Sequence, residues 1–146
     1  MDVSNRTDDD EVIPTFSGIS PARCLELLQT KTVGRVAWRA TEGPEILPVT
    51  YTWYENSVIF RTSPYGPLSE LVRPTDVAFE IDEIDEQHHH GWSVVVHGRA
   101  QGVAGSDRLA QLWTVAGVPW APGVRNLFIQ ITPTTLSGRQ VAARPQ

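Results

Sequence analysis

Arg61, Thr62 and Ser63 place a guanidinium and two hydroxyls in consecutive positions, directly after the apolar run Val58-Ile59-Phe60. Pro67 follows as a helix-start signal. Guanidinium forks and hydroxyls suit phosphate oxygens, and a helix start adds oriented backbone N–H groups. A surface arginine followed by two strand-end hydroxyls would read the same way, so the triplet by itself leaves both interpretations open. Trp92 and Ser93 form a second group, an indole and a hydroxyl at the entrance to Val94-Val95-Val96. An aromatic ring there suits the covering of a planar ligand. The continuous valines suit a strand buried on both faces, and the two readings are compatible.

Other reactive side chains carry less. His88, His89 and His90 invite a metal, because imidazole is a common neutral ligand. Consecutive residues on a loop rarely aim at one ion, and no cysteine or carboxylate spacing completes a zinc signature, so no metal is expected. Asp82, Glu83, Asp85 and Glu86 read with them as a solvated charged loop, since a loop run does not set the fixed separation of a catalytic carboxylate pair. The single cysteine, Cys24, rules out an intrachain disulfide and falls in the helical stretch ARCLELL, where a buried apolar thiol is the commoner role. Trp38 and Trp113 read as core or interface residues. Trp120, in WAPG, stands before Arg125, and Arg125 and Arg139 suit either an anionic ligand or surface ion pairs.

The elements that must position these residues are mostly strands. Ser20 and Pro21 make an N-cap followed by a first-turn proline, predicting a helix to about Thr30 with Cys24, Leu25, Leu27 and Leu28 on its apolar side. Strands are predicted over 33–40, 45–54 and 57–62, joined by Thr41–Pro44 and by a two-residue turn at Glu55-Asn56. This is an antiparallel meander. A short helix over 67–72 precedes a strand over 76–82, a polar loop over 83–90 and a long strand over 92–104, with Gly98 and Gly102 as bulge or bend points. A helix capped by Ser106 runs to Val115, a loop spans 118–124, and strands are predicted over 127–132 and 135–141. Short meanders with a few helices predict a mainly β fold, a closed or half-open barrel with helices at its ends. Residues 1–18, with the acidic run Asp8–Glu11, read as a disordered arm, 19–142 as one domain, and 143–146 as a flexible end.

The totals narrow the class. A chain of 146 residues suits one core. A formal charge of −5 with twelve scattered basic residues argues against a nucleic-acid partner. No apolar run approaches the ~20 residues of a membrane span, and the polar start lacks the halves of a signal peptide, so a cytoplasmic protein is expected.

Read together, VGRVAW (33–38), ILPVTY (46–51), VIFRTSPYGPLSEL (58–71), VAFEIDEID (77–85), GWSVVVHGRA (91–100) and WAPGVRNLFIQITPTTLSGR (120–139) resemble the pyridoxamine-5′-phosphate-oxidase-like family, in its actinobacterial branch. The resemblance implies an FMN-binding split barrel, a homodimer with two cofactor sites at the subunit interface, and FMN as cofactor, with a deazaflavin or haem as alternatives. It implies that Pro48, Val49 and Thr50 offer backbone groups to the flavin ring. Arg61, Thr62, Ser63 and the helix start at Pro67 and Leu68 would hold the phosphate, with Trp92 and Ser93 beside the flavin across the dimer interface. The family usually carries a lysine where Pro67 stands, and proline offers neither charge nor N–H donor. The expected function is a flavin-dependent oxidoreductase of unstated substrate with no protein acid or base required. The alternatives are a non-enzymatic flavin or haem carrier or sensor, and a split barrel kept only for protein association.

Overall fold

The computed structural model describes residues 13–119 and 123–144. Among the described residues there are seven strands: β1 (Ile13–Ile19), β2 (Val33–Ala40), β3 (Gly43–Tyr54), β4 (Ser57–Thr62), β5 (Thr75–Asp85), β6 (His90–Gly102) and β7 (Leu127–Arg144). Two α-helices, α1 (Pro21–Leu28) and α2 (Ser106–Val115), and one 3-10 turn at Pro67–Val72 complete the described elements. The sheet order is β1-β7-β4-β3-β2-β5-β6, and β6 pairs back onto β7. Every pairing among the described residues is antiparallel, and the β6–β7 pairing closes β2 to β7 into a barrel with β1 outside the ring.

Local chemistry sets several of the joints. Ser20 Oγ accepts the Arg23 N–H at 3.2 Å, which caps α1 as its sequence predicts. Glu55 and Asn56 both take positive φ, 51° and 58°, the left-handed pair that a tight hairpin turn requires. The β6–β7 register slips between His97 and Gly98, the bulge expected at that glycine. A Cβ on Gly98 would run into the Thr132 carbonyl.

Phe60, Phe79, Ile81, Val94, Val96, Ile129 and Ile131 fill the barrel. β4 is apolar on both faces because Val58 and Phe60 point to this core while Ile59 packs under Leu112 of α2. β6 behaves differently from its continuous valines: Val94 and Val96 are core, and Val95 is only half-buried. Buried Cys24, Leu27 and Leu28 seat α1 on the barrel, and Tyr51 Oη donates to the Leu28 carbonyl at 2.6 Å. Burial pushes the Cys24 thiol up from its ordinary value, which suits a packing role.

Four expectations change. Residues 13–18, read as part of a disordered arm, belong to a strand paired with residues 139–144 of β7, so positions 143 and 144 are likewise in the sheet. Residues 1–12, 145 and 146 lie outside the described residues. The polar loop over 83–90 is a hairpin turn of only Glu86–His89, because β5 continues to Asp85 and β6 begins at His90. The cap of α2 is Gly105, at φ 100°, and Ser106 is its first residue. The two short strands predicted over 127–141 are the single strand β7. Pro133 does not break it, since one edge of β7 pairs with β4 only to Ile131 and with β1 only from Gly138. No described helix is long and apolar enough to cross a membrane.

Candidate functional site

β3 and β4 are paired only from Tyr51↔Phe60 to Tyr54↔Ser57. Beyond Tyr51 they part, although β3 stays on β2 through Thr50↔Val33, Val49↔Gly34 and Pro48↔Arg35. The Tyr51 N–H donates to the Thr32 carbonyl at 2.9 Å, on the β2 side. Antiparallel strands alternate the direction of their backbone groups residue by residue. The Thr50 N–H and carbonyl and the Pro48 carbonyl therefore turn the other way, toward the gap that β4 has left. Such groups need partners, and a ligand edge can supply them.

A cavity of about 200 Å³ occupies the gap. Pro48, Val49 and Thr50 line one side, Arg61, Thr62 and Leu68 another, with Val33, Pro119 and Arg125 completing the wall. Arg61 is held from two directions. Its guanidinium carbon lies 4.2 Å from the centre of the Trp113 ring, and its Nε donates to the Arg125 carbonyl at 3.0 Å. Stacking and a fixed Nε orient the planar fork, so less freedom is lost when it grips an anion. The segment after α2 is tied over β3 by the Gly117 N–H, which donates to Thr52 Oγ1 at 3.0 Å.

Six of the ten expected cofactor residues therefore meet in one cavity: Pro48, Val49, Thr50, Arg61, Thr62 and Leu68. Ser63 is at its edge in sequence but not in its wall, and its Oγ accepts the Tyr65 N–H at 3.1 Å. Pro67 opens the 3-10 turn without an N–H, and the Ser69 N–H is spent on the Gly66 carbonyl at 3.0 Å. The helix start thus contributes less than its sequence suggests. Trp92 and Ser93 line a different cavity, of about 420 Å³, together with Arg139. Lys31 reaches this second cavity's tryptophan, its ammonium 5.6 Å from the Trp92 ring centre, and pairs with Glu83. Trp120 lies outside the described residues.

Sequence reasoning missed Val33, Pro119 and the support that Trp113 gives Arg61. Val33 reaches the cavity only through its pairing with Thr50, and no spacing signal announces it. Trp113, half exposed and edge-on to Phe128 with ring centres 5.1 Å apart, was legible as an interface aromatic but not as a platform.

A six-stranded barrel that opens between two neighbouring strands is a split barrel. The family model described as pyridoxamine 5′-phosphate oxidase matches residues 20–140, and the chain belongs to that family. The uncharacterized protein Rv0080 of Mycobacterium tuberculosis is 30% identical over 124 residues, which cover 82% of this chain and 81% of that one. A solved structure from Corynebacterium glutamicum, provisionally named a pyridoxamine 5′-phosphate oxidase, is 29% identical with a TM-score of 0.74, covering 86% of this chain and 98% of its own. An FAD-binding protein from Mycobacterium smegmatis is 26% identical with a TM-score of 0.69, covering 84% of this chain and 95% of its own.

Proposed function

We propose that this protein binds a flavin in the gap between β3 and β4, as a cytoplasmic homodimer, and serves as a flavin-dependent oxidoreductase. The observation that carries this reading is the parted strand pair: the backbone groups of Pro48 and Thr50 face a cavity whose opposite wall holds a pre-oriented guanidinium. The flavin ring edge carries both a hydrogen-bond donor and acceptors, which suit the Pro48 and Thr50 carbonyls and the Thr50 N–H. Arg61 and the Thr62 hydroxyl would take the phosphate. A cavity of about 200 Å³ is below the ~300 Å³ at which small-molecule sites usually begin, so one copy covers only part of a flavin. In the proposed dimer, Trp92 and Ser93 of a second copy would supply the remaining cover.

When bound, the flavin supplies hydride and electron transfer. The chain's own residues bind it, orient it and exclude water, and none of them is assigned as acid or base. FMN is the preferred form. FAD is a second reading, favoured by the FAD-binding Mycobacterium smegmatis neighbour. A deazaflavin presents the same ring edge to β3.

Fluorescence titration of the purified chain with FMN, FAD and riboflavin tests the proposal. Saturable binding of FMN or FAD is expected, and Arg61→Ala should weaken FMN by about ten- to a hundredfold, the worth of one charge-assisted contact of about 1.5–3 kcal/mol. Riboflavin, which has no phosphate, should be little affected by that change. Absence of binding by all three would overturn the reading.

A further inference from the structure

The tip of the β5–β6 hairpin brings together three metal-ligating side chains. Asp85 closes β5 directly opposite His90, the first residue of β6. Asp85 Oδ1 accepts the His88 backbone N–H at 3.0 Å, and His89 takes the left-handed φ of 56° that reverses the chain. This turn brings His88 Nδ1 to 2.9 Å from Asp85 Oδ2 and His90 Nε2 to 3.4 Å from the same oxygen. The two rings lie 28° apart in plane with centres separated by 6.2 Å, and the three ligand atoms all fall within 4.8 Å of one another.

A single hydrogen bond would account for His88 on Asp85. It does not account for a second imidazole nitrogen converging on the same oxygen. A cation with bonds of about 2.0–2.1 Å holds neighbouring ligand atoms about 2.8–3.4 Å apart, from right-angled to tetrahedral geometry. The two spacings observed match that interval. All three side chains are open to solvent, which leaves coordination positions for water or a further ligand.

We infer that Asp85, His88 and His90 form a binding site for a late first-row divalent cation of the zinc type. Two imidazoles with one carboxylate favour zinc, nickel or copper over magnesium or calcium, which prefer oxygen alone. Asp85 and His90 also line the cavity that holds Trp92, Ser93 and Arg139, so a ligand entering that cavity meets the cation at its rim. The inference does not rest on flavin binding.

Isothermal titration of the untagged full chain with Zn²⁺ at neutral pH tests it. One saturable equivalent is expected, weakened at least about tenfold by Asp85→Asn, His88→Gln or His90→Gln. His89→Gln should leave it unchanged, because His89 is not among the converging groups. Equal weakening by His89→Gln would overturn the site in favour of a histidine run acting without fixed geometry, as would absence of saturable binding. Ring-nitrogen NMR of the unaltered chain gives a readout independent of any variant's folding. Zinc should shift His88 at Nδ1 and His90 at Nε2, and ligation through the opposite nitrogens would contradict the geometry.

Discussion

β3 leaves β4 after four paired positions, whereas β5 and β6 stay zipped over eleven, from Thr75↔Ala100 to Asp85↔His90. Both are hairpins of the same barrel with tight turns. Where the ladder stops, backbone N–H and carbonyl groups lose their strand partners and become free to meet a ligand, and Arg61 and Thr62 face them across the gap. Where the ladder continues to its end, the backbone groups that face across it are used in strand pairing, and the candidate chemistry comes from side chains at the tip. Asp85, His88 and His90 are there because the register holds to the last pair. One sheet thus produces two kinds of candidate site by stopping or completing a strand pair.

The largest test breaks both regions at once. Phe79, fully buried on β5, sits edge-on to Tyr51 with ring centres 4.8 Å apart, at the point where β3 begins to part from β4. Phe79→Ala should cost about 3–5 kcal/mol in chemical denaturation, through lost burial and the cavity left behind. A cost near zero would mean that the parting point is not anchored by the zipped hairpin. Tyr51→Phe is a milder probe. It removes the bond to the Leu28 carbonyl and should cost about 1–2 kcal/mol, as a buried acceptor loses its donor.

Pro67→Lys sharpens the comparison on the parted side. Leu68 lines the cavity and Pro67 precedes it, so an added ammonium should tighten FMN by about three- to tenfold without changing riboflavin. Equal tightening of both ligands would place the effect away from the phosphate. The smallest effect is a pH dependence on the zipped side. Burial, with the hydrogen bond and charge of Asp82, raises the Glu80 carboxyl to about 7 against the opposing pull of Arg35. Its ordinary value is 4.5, so between pH 4.5 and about 7 the folded chain keeps a proton that the unfolded chain has released. Stability from this group is therefore present at low pH and is lost as pH rises through that window. Urea midpoints at pH 5 and pH 8 should differ less in Glu80→Gln than in the native chain, and identical differences would exclude Glu80 as a source.

Several joints were legible because a few adjacent residues suffice to make them. Ser20 caps α1, Glu55-Asn56 turns a hairpin and Gly98 bulges, each by short-range sterics and hydrogen bonding. Arg61 and Thr62 were legible as anion-binding residue types, and the family pattern over 20–140 carried the barrel. Other features depended on distant partners. Pro133 reads as a strand break until β4 and β1 leave the edge around it unpaired. Glu83–His90 reads as a loop because its residues are polar, yet the β5–β6 ladder draws it into a four-residue turn.

The sequence by itself determined the class of the fold, the short-range turns and the residue types suited to phosphate, since these follow from local propensity and alternation. Only the tertiary structure decided that Val33, Trp113 and Pro119 join the cavity, that Trp92 and Ser93 stand in another, and that Asp85 meets His88 and His90. The reason is physical. Barrel closure sets which strand edges stay paired, and that choice depends on contacts between residues far apart in the chain.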